Sequence, residues 1–250
     1  MSDAKSNKKI LALFDIDGTL TEPRKHISLQ MKRHMLELSN RVTIGVVGGS
    51  DFCKQKEQLG DDVLESYTYS FSENGLVAYY KGKLLSEQTF INYIGEANYK
   101  LFINDVLKYL STIDIPIKRG TFVEFRSGMI NISPIGRSCS TAERNEFEEY
   151  DKIHNIRSKM IEYLDNKYKH LQLKYSIGGQ ISFDVFPQGW DKTYCLQFIN
   201  FEEYYEVHFF GDKTQEGGND FEIFTHPKII GHSVLSPAHT EELTNQLWMN

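Results

Sequence analysis

The sequence predicts an α/β protein with a doubly wound core built on a mainly parallel sheet, and an inserted α+β cap domain with an antiparallel sheet. Two observations support this fold class. Near both ends of the chain, short apolar runs alternate with helical patterns and end in loops rich in Gly and Asp, as strand–loop–helix units do. Between them, short strand patterns paired across Gly-containing turns alternate with long helical patterns, which indicates antiparallel hairpins. The expected boundaries assign residues 1–84 and 191–250 to the core and residues 85–190 to the cap.

The first core elements are two buried strands with a helix between them. Residues 10–15 and 42–47 are apolar runs typical of strands in a parallel sheet, and residues 28–39 carry an imperfect apolar stripe that predicts a helix. The first strand runs into the sequence DIDGT, which begins at Asp15, and the second into GGSD, which contains Ser50. Ligands bind beyond the carboxyl ends of the strands in such sheets, so we expect both loops at one site.

The middle of the chain predicts three hairpins and two long helices. Ser140 and Glu143 form a capping-box pattern at the start of the second helix. The hairpins are expected at residues 76–85, 121–133 and 171–186, and the helices at residues 93–113 and 140–169. After Pro187 the core pattern returns, with a helix capped by Asp191, a strand at 205–210, a short helical segment after 217–220 and a closing helix at 237–248.

Composition excludes several classes of protein. The chain has 28 Lys+Arg and 34 Asp+Glu, a formal net charge of −6, which argues against a nucleic-acid binder. The longest opening apolar run is too short to cross a membrane, and the first nine residues are polar, so we expect neither membrane association nor a secretory signal. The 3 cysteines are widely separated and odd in number, and they form neither a disulfide framework nor a zinc site. We therefore expect a cytoplasmic protein.

Asp15 and Asp17 are the first candidates for catalysis. Two carboxylates two positions apart at a strand end can divide the work of phosphoryl transfer, one attacking phosphorus and the other moving a proton. Because an anionic carboxylate and a phosphate repel each other, a hard cation is needed, and oxygen ligands favour Mg²⁺. Taken alone, Asp and Gly after a strand are more often ordinary turn residues.

Further polar residues at other strand ends and helix starts argue against the turn interpretation for this chain. Ser50 follows two glycines, so its hydroxyl and neighbouring N–H groups could hold a phosphate. Lys192 lies near a helix start, where the helix dipole does not call for a cation. Four such motifs occur in the order found in the haloacid dehalogenase superfamily, which this chain resembles: Asp15 with Asp17, Ser50, Lys192, and Asp212 with Asp220.

Longer segments resemble the eukaryotic phosphomannomutases, and the resemblance covers nearly the whole chain. They are FDIDGTLTEPR from residue 14, VEFRSGM from 123, NISPIGRSC from 131, SIGGQISFDVFP from 176, GWDK from 189 and GDKT from 211. The resemblance implies a haloacid dehalogenase-type core, an inserted substrate-binding cap and a homodimer formed through the caps, with Phe122 at the interface. It also implies interconversion of mannose 6-phosphate and mannose 1-phosphate, which supplies GDP-mannose synthesis, with Mg²⁺ and a hexose 1,6-bisphosphate activator.

Roles follow from this resemblance position by position. Asp15 matches the family nucleophile and Asp17 the general acid/base. The implied Mg²⁺ ligands are the Asp15 carboxylate, the Asp17 backbone carbonyl and Asp212, with Asp220 in the segment that supports the metal. The implied substrate contacts are Arg24 in the core and Arg126, Arg137, Arg144, Ser182 and Asp184 in the cap, beside the phosphate-binding candidates Ser50 and Lys192.

The local sequence of the cap agrees with a phosphate site. Residues 125–142 contain two arginines and no Asp, Glu or Lys, and guanidinium groups pair bidentately with phosphate. Ser182 and Asp184 share one face of a predicted strand, which suits sugar hydroxyls. The competing interpretation is that each arginine is a surface charge.

A second cation site in the family corresponds to Phe224, His226 and Ile229 of this chain. His226 replaces an acidic side chain there, and a neutral imidazole is a poor ligand for a hard cation.

Three functional hypotheses remain open on the sequence. The leading one is a hexose-phosphate mutase that works through an aspartyl-phosphate, with either mannose or glucose phosphates as the faster substrates. The second is a sugar-phosphate phosphatase in which water attacks the same aspartyl-phosphate. The third is a non-catalytic sugar-phosphate sensor, which the intact Asp15, Asp17 and Asp212 disfavour.

Overall fold

The chain folds into two units, each with its own β-sheet. A computed structural model describes residues 9–249; the remaining residues, including most of the polar segment from which we expect no secretory signal, lie outside the described part. One unit comprises the described residues through Glu87 and those from Gly189 onward, and the other comprises Gln88–Gln188. Each is described in turn below as the core and the cap.

The core begins with alternating strands and helices. Its amino-terminal elements are β1 (Lys9–Phe14), α1 (Leu29–Leu38), β2 (Thr43–Val47), α2 (Phe52–Leu59), α3 (Val63–Ser66), β3 (Tyr69–Ser72), β4 (Val77–Tyr80) and β5 (Lys83–Glu87). Ser28 caps α1 and Asp51 caps α2, each side chain accepting a hydrogen bond from a backbone N–H in the first turn.

The cap alternates helices with two strand pairs. Its elements are α4 (Phe90–Ile94), α5 (Glu96–Thr112), β6 (Val123–Phe125), β7 (Ile130–Ile132), α6 (Thr141–His154), α7 (Ile156–Tyr168), β8 (Leu173–Gly178) and β9 (Ser182–Pro187). The four strands form an antiparallel sheet in the order β6-β7-β9-β8. One face of this sheet packs on α5 and α7 through a buried cluster that includes Phe102, Met160 and Phe183.

The chain then returns to the core. It forms a 3₁₀ helix (Lys192–Phe198), β10 (Tyr204–Gly211), α8 (Phe221–Phe224), β11 (Ile230–Ser233) and α9 (Pro237–Thr244). The core sheet has the order β11-β10-β1-β2-β3-β4-β5, with parallel pairing from β11 to β3 and antiparallel pairing of β4 and β5. Apolar clusters cover both faces of the sheet, as a parallel sheet requires. No helix among residues 9–249 is long and apolar enough to cross a membrane.

The structure departs from the sequence expectation in two helical regions. The helix expected over residues 140–169 is interrupted at Asn155, which adopts a left-handed conformation with φ 55°. Asn tolerates this conformation better than most residues, and it separates α6 from α7. The pattern expected over residues 93–113 is likewise divided by Gly95 between α4 and α5. The sequence pattern did not predict β3, α2, α3 or β11.

Candidate active site

Asp15 follows the last residue of the central strand β1. Its backbone N–H donates to the carbonyl of Phe210 at 2.9 Å, so the β1–β10 pairing continues through this residue. The residue is buried, 4% exposed. The sheet therefore fixes the position of this carboxylate at the carboxyl ends of the adjacent strands β1 and β10.

The turn after Asp15 brings the backbone close to a second carboxylate. Gly18 has φ 81°, and a Cβ at this position would overlap the carboxylate of Asp212, which follows β10. The turn is closed by a hydrogen bond from the Gly18 N–H to the Thr21 carbonyl at 2.7 Å. Glycine is required here both by the positive φ and by this close approach.

Lys192 connects two of the carboxylates. It begins the 3₁₀ helix capped by Asp191, and its side chain is fully buried. Its Nζ donates to Oδ1 of Asp15 and, at 2.5 Å, to Oδ1 of Asp220. Burial by itself lowers the pKa of Lys192, but the two carboxylates outweigh it and hold the pKa above its usual value. The ammonium is therefore charged and stays at the candidate nucleophile.

Asp15, Asp212 and Asp220 form a group suited to a divalent cation. One carboxylate oxygen from each lies within 4.8 Å of the other two. Oδ1 of Asp212 is buried and has no hydrogen-bond partner among the residues that the structure describes. A buried carboxylate oxygen without a partner is costly, and a hard cation with oxygen ligands would relieve that cost. These residues fit Mg²⁺.

Burial shifts the protonation equilibria of this group. It raises the pKa of Asp15 to about 6; Lys192 opposes that rise and Asp220 adds to it. Burial also raises the pKa of Asp212 above its usual value. Both shifts mean that ionising these buried carboxyls costs free energy in the absence of a cation. A bound cation would reduce that cost.

Asp17 is held at the mouth of the same site. Its Oδ1 accepts hydrogen bonds from the backbone N–H of Arg24 at 2.6 Å and from Nε2 of Gln58 at 2.7 Å. The Arg24 side chain is exposed, and only its backbone makes this contact. Asp15, Asp17, Ser50 and Gln58 line a cavity of about 170 Å³. Gln58 was missed in the sequence because it lies within α2, away from every strand end.

In the cap, the candidate arginines converge on a carboxylate that the sequence analysis did not select. Glu124 accepts a hydrogen bond from Nε of Arg126 at 2.9 Å and forms an ion pair with Nε of Arg137. The hydrogen bond from Arg126, together with the charges of both arginines, holds the pKa of Glu124 below its usual value. Arg144 joins the group through Nη2, which donates to the carbonyl of Arg137 at 3.1 Å.

The candidate sugar-binding pair is connected to these arginines by Asn131. Its Nδ2 donates to Oγ of Ser182 at 3.1 Å and to Oδ1 of Asp184 at 2.7 Å, while its Oδ1 accepts from Nη1 of Arg137 at 2.6 Å. The strand register places Glu124 opposite Asn131 and Asn131 opposite Asp184, so the three form a row across the sheet. Finding this row in the sequence would have required the register of the β6–β7 hairpin and the pairing of β7 with β9, which joins two different hairpins.

The residues of the second cation site lie around α8. The Phe224 side chain packs against an apolar cluster of the core, and the carbonyl of His226 accepts from the N–H of Ile229 at 2.9 Å. Nδ1 of His226 accepts from the N–H of Lys228 at 3.3 Å. The imidazole therefore stabilises the turn that follows α8 through this hydrogen bond.

Comparisons of the sequence with known proteins point to one family. A family model described as eukaryotic phosphomannomutase matches residues 31–250. The chain is 58% identical over 247 residues to a phosphomannomutase from Oryza sativa subsp. indica, with 99% of each chain covered. It is 56% identical over 250 residues to one from Triticum aestivum, with 100% of each covered.

Solved structures share the fold at low identity. A haloacid dehalogenase-like hydrolase from Bacteroides thetaiotaomicron matches with a TM-score of 0.56 and 16% identity, over 96% of this chain and 100% of that one. At this identity the likeness concerns the fold alone. It confirms the predicted fold class, a haloacid dehalogenase-type α/β core together with a unit built on an antiparallel sheet.

Proposed function

This chain belongs to the eukaryotic phosphomannomutase family, and on that premise we propose that it interconverts mannose 6-phosphate and mannose 1-phosphate through an aspartyl-phosphate at Asp15 and a hexose 1,6-bisphosphate intermediate. The observation that carries this proposal is the buried Asp15 carboxylate, which contacts Lys192 and lies beside Asp212 and Asp220. Its product would supply GDP-mannose synthesis.

The reaction divides between the two aspartates of the DIDGT turn. A carboxylate oxygen of phosphate-free Asp15 attacks a phosphorus of the bisphosphate, the bond from phosphorus to the sugar oxygen breaks, and Asp17 gives its proton to that oxygen. In the half-reaction that forms the bisphosphate, Asp17 removes the proton from the free sugar hydroxyl as the phosphoryl group leaves Asp15. The bisphosphate then reorients, so that its other phosphate faces Asp15. Lys192 offsets charge at Asp15, and Ser50 holds phosphate oxygens at the cavity. Bound Mg²⁺, held by Asp15, the Asp17 carbonyl, Asp212 and Asp220, would neutralise the repulsion between carboxylate and phosphate.

The cap residues bind the part of the substrate that is not reacting. Arg126, Arg137 and Arg144 take the second phosphate, and Ser182 and Asp184 take sugar hydroxyls. Support comes from the hydrogen-bonded group that connects these side chains within the cap. Arg24 is the corresponding substrate contact in the core, and its exposed side chain is available for it.

Two further features of the proposal follow from family membership. The enzyme acts as a cytoplasmic homodimer assembled through the caps, with Phe122 at the interface. Phe122 is partly buried against the apolar cluster of the cap, which leaves part of its ring for a partner.

The function is tested by incubating the protein with mannose 1-phosphate, Mg²⁺ and catalytic hexose 1,6-bisphosphate while following mannose 6-phosphate and free phosphate together. We expect mannose 6-phosphate to exceed free phosphate by a wide margin. Free phosphate without isomerised sugar would identify a phosphatase, and neither product would identify a sensor. A parallel reaction with glucose 1-phosphate ranks the two sugars.

Asp17→Asn should slow phosphoryl transfer by on the order of 10²- to 10⁴-fold, because the amide cannot exchange a proton with the sugar oxygen. The oxygen of the amide can still accept from the Arg24 N–H. The backbone carbonyl of residue 17, the proposed Mg²⁺ ligand, is unchanged, so Mg²⁺ binding should persist. Steady-state kcat and Mg²⁺ titration followed by calorimetry measure the two effects. Full activity in this variant would assign the acid/base role to another residue.

Arg137→Ala and Arg144→Ala should each raise the KM for mannose 1-phosphate, because each removes a charge-assisted hydrogen bond to the phosphate dianion. The ratio of free phosphate to isomerised sugar should rise as well, since a hexose monophosphate that is held weakly dissociates more often from the phosphorylated enzyme and leaves the aspartyl-phosphate at Asp15 to water. Lys159→Ala, an exposed cation on α7, is the matched control. Unchanged kinetics and an unchanged ratio in both arginine variants would make these arginines surface charges.

A further inference from the structure

Asn131 lies at the centre of the hydrogen-bonded group in the cap and is 4% exposed. Its amide makes three contacts: one with Arg137, one with Ser182 and one with Asp184. It therefore connects the arginines to the pair proposed for the sugar hydroxyls.

The chemistry of these partners fixes the orientation of the amide. A guanidinium group has only donors, so the Asn131 atom at 2.6 Å from Arg137 Nη1 must be the acceptor Oδ1. Nδ2 then faces Ser182 and Asp184, and its two hydrogens serve those two acceptors. Glu124 restrains the Arg137 guanidinium as well, because it forms an ion pair with Nε of Arg137.

This orientation determines which hydrogen bonds the neighbours can offer to a ligand. Oγ of Ser182 accepts from Asn131, so the hydroxyl proton is directed elsewhere and is available to a ligand oxygen. Oδ1 of Asp184 is occupied by Asn131, so Oδ2 is available to accept from a sugar hydroxyl. The amide thus leaves one donor, the Ser182 hydroxyl, and one acceptor, Oδ2 of Asp184, in defined positions for a ligand.

We propose that Asn131 is a positioning residue that couples phosphate binding by Arg137 to sugar binding by Ser182 and Asp184, by fixing the hydrogen-bond polarity of that pair. The inference rests on the proposed function of the cap and adds a residue that does not itself touch the substrate. It requires an amide at this position, since neither a carboxylate nor a hydroxyl donates to both neighbours.

The test compares Asn131→Asp with the wild type across a range of pH. The new carboxylate would face Asp184 at one oxygen and the Arg137 guanidinium at the other. Two carboxylates at hydrogen-bond distance share a proton with a raised pKa, and the charge of Arg137 opposes part of that rise. At about pH 8 we expect the KM for mannose 1-phosphate to rise on the order of tenfold over the wild type, with a smaller change in kcat. At about pH 6 the shared proton restores a donor toward Asp184, so the ratio of variant to wild-type KM should fall.

Two companion variants make the result decisive. Asn131→Ser should show a raised KM ratio that does not fall with pH, because a hydroxyl does not titrate; it also keeps the test informative if Asn131→Asp does not fold. Asn166→Asp, which adds the same charge at an exposed position on α7, should match the wild type. The proposal would be overturned by an unchanged KM in the folded Asn131 variants. It would also be overturned if the ratio of the Asn131→Asp KM to the wild-type KM were equal at both pH values. An inactive wild type would instead overturn the proposed function.

Discussion

Asp15→Asn should abolish turnover, with a loss of at least on the order of 10⁴-fold, the scale seen when a catalytic nucleophile is removed. The amide cannot become an acyl phosphate, and it removes one of the three carboxylates grouped for the cation. Folding should survive, because burial raises the pKa of Asp15 to about 6 and the charged form is therefore costly in the native state. Lys192 keeps Asp220 as its partner in the variant. Mutase assays and thermal unfolding of the same preparation measure both effects.

A matched control separates chemistry from a general loss of charge. Asp61→Asn changes an exposed aspartate of the core, whose side chain is 97% exposed, and should leave turnover unchanged. Appreciable mutase activity in Asp15→Asn, above what spontaneous deamidation of the amide could supply, would eliminate the aspartyl-phosphate at this residue.

Lys192→Met should destabilise the metal-free protein by about 3–5 kcal/mol, the range found when one partner of a buried ion pair is removed. The substitution leaves Asp15 and Asp220 facing each other without their ammonium partner. Turnover should also fall on the order of 10²- to 10³-fold, because a preorganised donor at the reacting carboxylate is lost. Urea unfolding in the presence of a chelator gives the free energy of unfolding.

The pH dependence of this variant has a defined sign. Without Lys192, the pKa of the buried Asp15 carboxyl rises further above its unfolded value, so its protonated form stabilises the native state. That stabilisation is present at low pH and is lost as the pH rises through the folded pKa. The loss of unfolding free energy should therefore be smaller at about pH 5 than at about pH 8. Lys25→Met, at an exposed position of the core, is the control. A loss that is equal at both pH values would show that the ammonium does not compensate these carboxylates.

The sequence was informative wherever a functional side chain follows a strand end or begins a helix. Asp15, Ser50 and Asp212 follow three strands of the parallel sheet, whose carboxyl ends share one edge. Once these segments are identified as parallel strands, the side chains that follow their carboxyl ends are expected to lie close together. The alternation of β9 likewise placed Ser182 and Asp184 on one face.

Residues that depend on long-range pairing were not accessible in this way. Gln58 contacts Asp17 only because α2 packs beside the DIDGT turn, and nothing in its local pattern distinguishes it from other helical glutamines. Glu124 and Asn131 face one another through the register of two short strands, which a sequence pattern locates only within a few residues. The break between α6 and α7 depends on the left-handed conformation of Asn155 and on the buried ion pair of Asp151 with Arg157 across it.

The central claim is that Asp15 carries the phosphoryl group during the reaction. The direct measurement is to incubate the protein with Mg²⁺ and hexose 1,6-bisphosphate labelled with ³²P on both phosphates, quench with acid, and map the labelled peptide. We predict label on the peptide that contains Asp15, removal of that label by chase with unlabelled mannose 1-phosphate, and no label in Asp15→Asn. Label on another residue, or isomerisation without any acid-stable trace of a phosphorylated carboxylate, would contradict the account.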